Sequence, residues 1–189
     1  MTSIAQLEDK GRWVTLDGID VPGTASTWCS MMFYWLIRAM NAVRICEIGV
    51  RGEALEGGVS TLCLLAASQY THGHVWSMDI DECFSQRRAV SHYGLTSRHT
   101  FIQADSHETD FPCEAIDFLF IDGDHSYEGV KADYERHKVK VRPGGLIALH
   151  DTVSCAPTVG RLVRELKQSG VDIFDLPYCE SGLALEVKR

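Results

Sequence analysis

Ile116-Asp117-Phe118-Leu119-Phe120-Ile121 is a nearly continuous apolar run, and Asp122-Gly123-Asp124-His125 follows it directly. Such a short, mostly apolar run is typical of a central parallel strand that is covered on both faces. The four residues after it combine a turn with polar side chains, at the place where open α/β sheets bind ligands. The stretch therefore predicts a covered sheet with a functional site at the carboxyl ends of its strands.

The same alternation of short apolar runs and helical segments extends over most of the chain. Predicted strands cover residues 43–48, 74–79, 100–103, 116–121, 146–150, 172–175 and 183–187, and predicted helices cover residues 60–69, 82–92, 127–138 and 158–169. Strands that alternate with crossovers form a parallel sheet. Arg142-Pro143-Gly144-Gly145 is a turn signal before the fifth strand. The gap at residues 176–182 suits an antiparallel hairpin better than a helical crossover. The predicted fold is α/β, with a seven-stranded, mostly parallel sheet and an antiparallel C-terminal hairpin.

An N-terminal extension, residues 1–42, precedes the first predicted strand. It contains a predicted helix at residues 26–41 that is rich in aromatic side chains, including Trp28, Phe33, Tyr34 and Trp35. These aromatics either pack against the sheet or help to wall a substrate pocket. The length of 189 residues fits one domain spanning residues 1–189.

Composition and charge restrict the classes of partner. The formal net charge of −8 argues against a surface that tracks nucleic-acid phosphates. The seven cysteines contain no C-x-x-C pair and suit a reducing compartment, so we expect a cytoplasmic protein without a disulfide framework. Neither a secretion signal nor a membrane-spanning segment is visible, so no membrane partner is expected. A homodimer is compatible with these properties.

The turn after the first predicted strand indicates what kind of ligand the sheet binds. It contains Glu47-Ile48-Gly49, then Gly52, Gly57 and Gly58, and glycines allow a backbone to approach a ligand closely. This spacing is not the G-x-G-x-x-G of dinucleotide-binding proteins. A carboxylate is also favourable beside a sulfonium or an ammonium group and unfavourable beside phosphates. The turn therefore favours a positively charged nucleotide ligand.

Several motifs together resemble a known family. Glu47-Ile48-Gly49 followed by Gly-Gly-x-Ser-Thr resembles motif I of class I S-adenosylmethionine-dependent methyltransferases, particularly small-molecule O-methyltransferases and cephalosporin-hydroxylase-like proteins. Residues 120–127, Phe-Ile-Asp-Gly-Asp-His-Ser-Tyr, carry the most specific part, together with residues 142–145 and His150-Asp151-Thr152. The resemblance covers roughly residues 43–151. It departs from the family at residues 51–57, which look like an insertion in the first turn.

The resemblance implies a set of residues that bind S-adenosylmethionine. The ribose would be held by Asp79 at the end of the second strand, with Asp81 as the alternative. Asp105 and Ser106 would lie near the adenine, unless they form an ordinary surface loop. The implied cofactor-binding set is Glu47, Gly49, Gly58, Ser60, Asp79, Asp105, Ser106 and Asp122.

Asp122, His150 and Asp151 lie at the ends of two neighbouring predicted strands, so their side chains can converge. In related metal-dependent enzymes, matching positions hold a divalent cation, here Mg²⁺ or Mn²⁺. The alternative is that His150 and Asp151 only shape the pocket. His125 lies where related enzymes place a base, and an imidazole titrates near neutral pH. We therefore take Asp122 and His125 as the candidate catalytic residues, the alternative for His125 being a solvated loop residue.

The resulting prediction is a methyltransferase that uses S-adenosylmethionine and acts on a hydroxyl group of a small molecule, with or without a divalent cation. Two alternatives stay open. One is a non-catalytic nucleotide-binding protein of the same fold, and the other is an NAD(P)-dependent oxidoreductase on a similar sheet.

Overall fold

The fold is described from a computed structural model that covers residues 13–22, 25–50, 59–179 and 181–189. In chain order the elements are β1 (Trp13–Leu16), β2 (Ile19–Pro22), α1 (Ala25–Met40), β3 (Arg44–Ile48), α2 (Val59–Thr71), β4 (His74–Asp79), α3 (Phe84–His92), β5 (His99–Gln103), β6 (Ile116–Ile121), α4 (Tyr127–His137), β7 (Val141–His150), α5 (Val159–Gln168), β8 (Ile173–Leu176) and β9 (Leu183–Val187). All seven strands and five helices of the sequence prediction are present, most with ends shifted by one or two residues. Within the described ranges, every helix is too short or too polar to cross a membrane.

The seven-stranded sheet has the strand order β5-β4-β3-β6-β7-β9-β8. The strands from β3 to β7 pair in parallel, whereas β9 pairs antiparallel with both β7 and β8. The predicted mostly parallel sheet with an antiparallel C-terminal hairpin is therefore confirmed. After β3, the next two strands, β4 and β5, are added on one side of it, whereas β6 and β7 are added on the other side. The topological switch point therefore lies between β3 and β6. Ligands of open α/β sheets bind outside such a point.

Strand β6 is buried along its whole length and separates two apolar cores. Phe118 and Phe120 belong to the core shared with α1 and α2, and Leu119 and Ile121 belong to the core shared with α4 and α5. This alternation follows from the two-residue period of a strand. In α1, Phe33 packs on both aromatic rings of β6, with ring centroids 5.4 Å and 4.7 Å apart. Phe33 thus packs against the sheet, one of the two roles considered for the aromatic residues of this helix.

The segment Arg142-Pro143-Gly144-Gly145 corrects the sequence prediction, which placed a turn ahead of the fifth strand. It lies inside β7 as an irregularity, because Ile116 pairs with Val141 but Phe118 pairs with Leu146. The backbone N–H of Gly144 donates to the carbonyl of Lys188, and the N–H of Lys188 donates to the carbonyl of Gly145. These two hydrogen bonds extend the pairing of β7 with the C-terminal end of the chain.

A hairpin of β1 and β2 precedes α1, and the sequence analysis did not anticipate it. Its turn is Asp17-Gly18, and both residues have positive φ, at 47° and 85°. Asp-Gly is a strong sequence signal for such a two-residue turn, so this hairpin was predictable from the sequence. The Asp17 carboxylate accepts hydrogen bonds from Tyr34 Oη at 2.7 Å and from Arg38 Nη1 at 2.8 Å, which attach the hairpin to α1.

Candidate active site

A cavity of about 610 Å³ opens at the carboxyl ends of β3, β4, β6 and β7. This volume lies within the usual range for small-molecule sites. Its described lining comprises Ile48, Gly49, Met78, Asp79, Ile80, Asp81, Ala104, Asp105, Ser106, His107, Asp122, Gly123, Asp124, His125, His150, Asp151 and Ser181. Six of these residues are aspartates and none is a lysine or an arginine, so the carboxylates outnumber His125 and His150, the two histidines that pair with Asp122 and Asp151. The cavity therefore favours a positively charged ligand over a polyanion.

Gly49 brings the turn after β3 against the end of β6. Its φ is +83°, and a Cβ atom there would overlap the carbonyl of Asp122 and lie 2.8 Å from the Gly123 nitrogen. The N–H of Asp122 donates to the Ile48 carbonyl at 2.8 Å. The predicted glycine turn is thus the point where the two strands on either side of the switch point touch.

Glu47 is fully buried next to this turn, and it does not line the cavity. Its carboxylate accepts hydrogen bonds from the hydroxyls of Ser60 at 2.5 Å, Thr61 at 2.6 Å and Ser77 at 2.8 Å. Burial raises its pKa to about 7 although these hydroxyls act in the opposite direction. Direct contact of Glu47 and Ser60 with a cofactor stays a prediction, since both side chains are engaged with each other here. Gly58 and the insertion at residues 51–57 lie outside the described residues.

Asp79 ends β4 at the wall of the cavity. One carboxylate oxygen accepts from the N–H of Val50 at 2.7 Å and the other from the N–H of Asp81 at 2.9 Å. These contacts fix the carboxylate between two turns and leave lone pairs free for further hydrogen bonds. Asp81 lines the same cavity, so Asp79 and Asp81 both remain candidates for the ribose contact.

The loop after β5 supplies Asp105 and Ser106 to the cavity wall, as the sequence analysis expected, together with His107. The Asp105 carboxylate accepts from the His107 N–H at 2.8 Å and so shapes the loop. Behind the loop, the fully buried Asp133 carboxylate lies 3.5 Å from His107 Nε2. The loop is therefore fixed from below by α4.

Asp122, His125, His150 and Asp151 meet in an alternating arrangement of carboxylates and imidazoles. His125 Nε2 lies 3.4 Å from Asp122 Oδ1 and 2.9 Å from Asp151 Oδ2. His150 Nδ1 lies 3.1 Å and 3.5 Å from the same two oxygens. The predicted convergence of these side chains from β6 and β7 is thus present in the structure.

These contacts change the acidity of each group. Hydrogen bonds to Asp122 and Asp151 raise the pKa of His125 to about 10. Burial alone would lower the pKa of His150, but hydrogen bonds to the same carboxylates raise it to about 10. Burial would likewise raise the pKa of Asp151, yet hydrogen bonds from the two imidazoles and Ser154 hold it well below its usual range. His125 therefore carries its proton at neutral pH in this arrangement, and it accepts a proton only when its pairing with the carboxylates is weakened.

Two overlapping groups in this arrangement have spacing suited to a metal ion. Asp122, His150 and Asp151 each offer one atom, and these atoms lie within 4.8 Å of one another. His125, Asp151 and Cys155 satisfy the same condition. The first group is the one that the sequence analysis named, and its carboxylate oxygens and imidazole fit Mg²⁺ or Mn²⁺ by donor type.

Several residues that support the site were not predicted from the sequence. Ser77 binds Glu47 from inside an apolar strand, Ser154 Oγ donates to Asp151 Oδ1 at 2.5 Å, and His107 and Ser181 line the cavity. A polar residue within the apolar β4 was a readable signal for Ser77. Ser181 lies in the turn between β8 and β9, far in sequence from any motif, so only the tertiary structure reveals it.

The sequence model of a family described as a methyltransferase domain matches residues 46–152, which is more than half of the chain. The chain belongs to this methyltransferase family. The matched range begins one residue before Glu47 and ends just after His150-Asp151, so it contains the acidic-glycine turn and the carboxylate–imidazole arrangement. The resemblance to class I S-adenosylmethionine-dependent methyltransferases is confirmed.

Solved structures of other methyltransferases share the fold. The SAH-bound methyltransferase PaMTH1 of Podospora anserina has a TM-score of 0.71 and 16% identity, over 85% of this chain and 78% of its own. The O-methyltransferase TomG of Streptomyces achromogenes, in complex with SAM, has a TM-score of 0.62 and 18% identity, over 85% and 79% of the two chains. MycE of the mycinamycin biosynthetic pathway, solved with Mg, SAH and mycinamycin VI, has a TM-score of 0.64 and 21% identity, over 85% and 49%.

Among curated proteins, y4gI of Sinorhizobium fredii is 25% identical over an alignment of 130 residues, and the match covers 62% of this chain. The chain spans only 14% of the length of that relative. The shared part is thus a small portion of a much larger protein.

Proposed function

We propose that this methyltransferase transfers the methyl group of S-adenosylmethionine to a hydroxyl oxygen of a small molecule. The observation that carries the proposal is the cavity at the switch point, whose described lining has six aspartates and neither lysine nor arginine. A sulfonium and an ammonium are stabilised by such a field, whereas the pyrophosphate of a nicotinamide dinucleotide is destabilised. This contrast disfavours the oxidoreductase alternative.

The cofactor would lie across the strand ends. Asp79, fixed between two turns, would accept hydrogen bonds from the ribose hydroxyls, and Asp105 and Ser106 would contact the adenine. S-adenosylmethionine supplies, when bound, a methyl group activated by a positively charged sulfur. The chain's contribution is to hold the acceptor oxygen in line with that methyl carbon, which accounts for most of the rate enhancement expected from such a site.

The acceptor hydroxyl would enter beside Asp122 and His125, where a proton can be held or moved at His125 Nε2. Loss of pairing between His125 and the two carboxylates is required for its role as a base. Asp122, His150 and Asp151 would hold a divalent cation, whose charge favours the deprotonated form of a hydroxyl. The Mg in the MycE complex supports this assignment, as does the donor set of the three side chains.

Calorimetric titration of ligand-free protein with S-adenosylhomocysteine tests the cofactor assignment. We expect Asp79→Ala to weaken binding about 10- to 100-fold, the effect of losing charge-assisted hydrogen bonds, and the neighbouring Asp81→Ala to leave it nearly unchanged. A larger effect of Asp81→Ala would transfer the ribose role to that residue. Absence of binding to wild-type protein would refute the proposal.

Transfer to a panel of catechols and simple phenols then tests the catalytic role. We expect His125→Ala to retain the affinity for S-adenosylhomocysteine and to slow transfer about 10²- to 10⁴-fold, the usual contribution of a general base. Cofactor binding without turnover on any acceptor would favour the non-catalytic alternative.

A further inference from the structure

Cys155 lies at the edge of the site and has no role in the proposed methyl transfer. Its Sγ atom, a ring nitrogen of His125 and a carboxylate oxygen of Asp151 lie within 4.8 Å of one another. The thiol is partly buried, so solutes can reach it. This group contains a sulfur donor, which the group of Asp122, His150 and Asp151 lacks.

The turn after β7 places the carboxylate and the thiol side by side. Asp151 adopts the left-handed backbone conformation, with φ at 59°, and its carbonyl accepts from the N–H of Cys155 at 2.9 Å. Ser154 Oγ donates to Asp151 Oδ1 at 2.5 Å, which leaves Oδ2 next to His125 Nε2 at 2.9 Å. A hydrogen bond to the outer oxygen of a carboxylate is a common way of orienting a metal ligand. The three donor atoms are thus held by one short turn and one loop.

We propose that His125, Asp151 and Cys155 form a binding site for a thiophilic divalent cation of the Zn²⁺ type. Imidazole, carboxylate and thiolate together are a typical donor set for Zn²⁺ and Co²⁺, whereas Mg²⁺ avoids sulfur. On binding, the S–H bond of Cys155 breaks, its proton goes to solvent, and a bond between sulfur and the metal forms. The imidazolium proton of His125 is released in the same way, so that a ring nitrogen can bind.

The site has a consequence for catalysis, and this part alone rests on the proposed function. A cation held by the imidazole of His125 competes with the proton that this ring would accept from the substrate. Because Asp151 belongs to both metal-suited groups, such a cation also competes with Mg²⁺ at the neighbouring position. Zn²⁺ therefore inhibits methyl transfer.

Titration of the purified protein with Co²⁺ tests the site through absorption, without any measurement of activity. We expect about one equivalent to produce a near-ultraviolet band of sulfur-to-cobalt charge transfer, which Zn²⁺ abolishes by displacement. Cys155→Ser should remove the band and weaken Co²⁺ binding at least about tenfold, as expected for the loss of a direct ligand. Cys179→Ser, a partly buried cysteine outside the group, should retain it. No band in wild-type protein, or a band that persists in Cys155→Ser, would overturn the proposal.

A second measurement on wild-type protein keeps the test valid if Cys155→Ser does not fold. Alkylation by iodoacetamide, mapped by mass spectrometry, should be slowed by Zn²⁺ at Cys155 and unaffected at Cys179, and equal rates at Cys155 with and without Zn²⁺ would contradict the site. Calorimetry with S-adenosylhomocysteine separates the two proposals. If the nucleotide fails to bind while the Co²⁺ band forms, the metal site is supported and the proposed methyltransferase function is refuted.

Discussion

Glu47 is an acid whose ionisation is coupled to folding. Its pKa is about 7 in the folded protein, against an ordinary value of 4.5. Below about pH 4.5 it is neutral in both the folded and the unfolded state. As the pH rises towards 7, the unfolded state gains the charge first, so the free energy of unfolding falls, by on the order of 3 kcal/mol in total.

Glu47→Gln should remove this dependence, because the amide is neutral and its groups can still pair with the surrounding hydroxyls. We expect the Tm of wild-type protein to fall between pH 5 and pH 8 relative to that of the variant. Glu135→Gln, at a half-exposed ion pair with Lys138, is the control and should follow wild type. Parallel pH profiles for wild type and Glu47→Gln would show that Glu47 titrates as an ordinary carboxyl.

Among individual residues, the sequence predicted most of the acidic and histidine side chains of the site but few of the contacts between them. Asp79, Asp105, Asp122, His125, His150 and Asp151 all line the cavity as expected, because strand ends in a parallel sheet meet at one edge. The hydrogen bonding of the buried Glu47 carboxylate was not predictable from its motif, since one of its donors is Ser77 from the neighbouring strand. The raised pKa of His125 depends first on Asp122, three residues earlier, and then on Asp151, and only this second contact joins residues that are distant in sequence.

Among the elements, the contact between the turn after β3 and the end of β6 leaves no room for a side chain at Gly49. In Gly49→Ala, the Cβ atom would overlap the Asp122 backbone in addition to the cost of the left-handed conformation. Gly170→Ala is a matched control, because Gly170 has φ of +87° with nothing within 4 Å of the added carbon. We expect the control to lose about 1–2 kcal/mol of unfolding free energy and Gly49→Ala to lose clearly more. Denaturant titration measures the free energy of unfolding of both variants. Equal losses would show that the backbone of β6 shifts to accommodate the added methyl group.

The elements also show where local sequence patterns are sufficient. Strand β6 was predicted because burial on both faces leaves a nearly continuous apolar run. The extension of β7 through Pro143 was missed because its pairing partner, Lys188, is distant in sequence. The hairpin of β1 and β2 differs from β7, because its turn signal, Asp17-Gly18, is local and could have been recognised in the sequence.

For the whole molecule, ligand binding should appear as increased thermal stability. A ligand that binds only the folded state at a hundred times its Kd adds about 2.7 kcal/mol, which corresponds to roughly 5–10 °C in Tm for a protein of this size. We expect S-adenosylhomocysteine to produce such a shift and NADH at the same concentration to produce none. A shift with NADH alone would revive the oxidoreductase alternative and would show that the acidic lining does not exclude a pyrophosphate.

The left-handed backbone at Asp151 determines how mutagenesis of the site has to be interpreted. A library that randomises this position selects for backbone shape as well as for side-chain chemistry, because glycine, asparagine and aspartate adopt this conformation at a lower cost than most other residues. Inactivity of a valine or isoleucine substitution would therefore not distinguish a distorted turn from a missing carboxylate. Asparagine is the replacement that isolates the loss of charge.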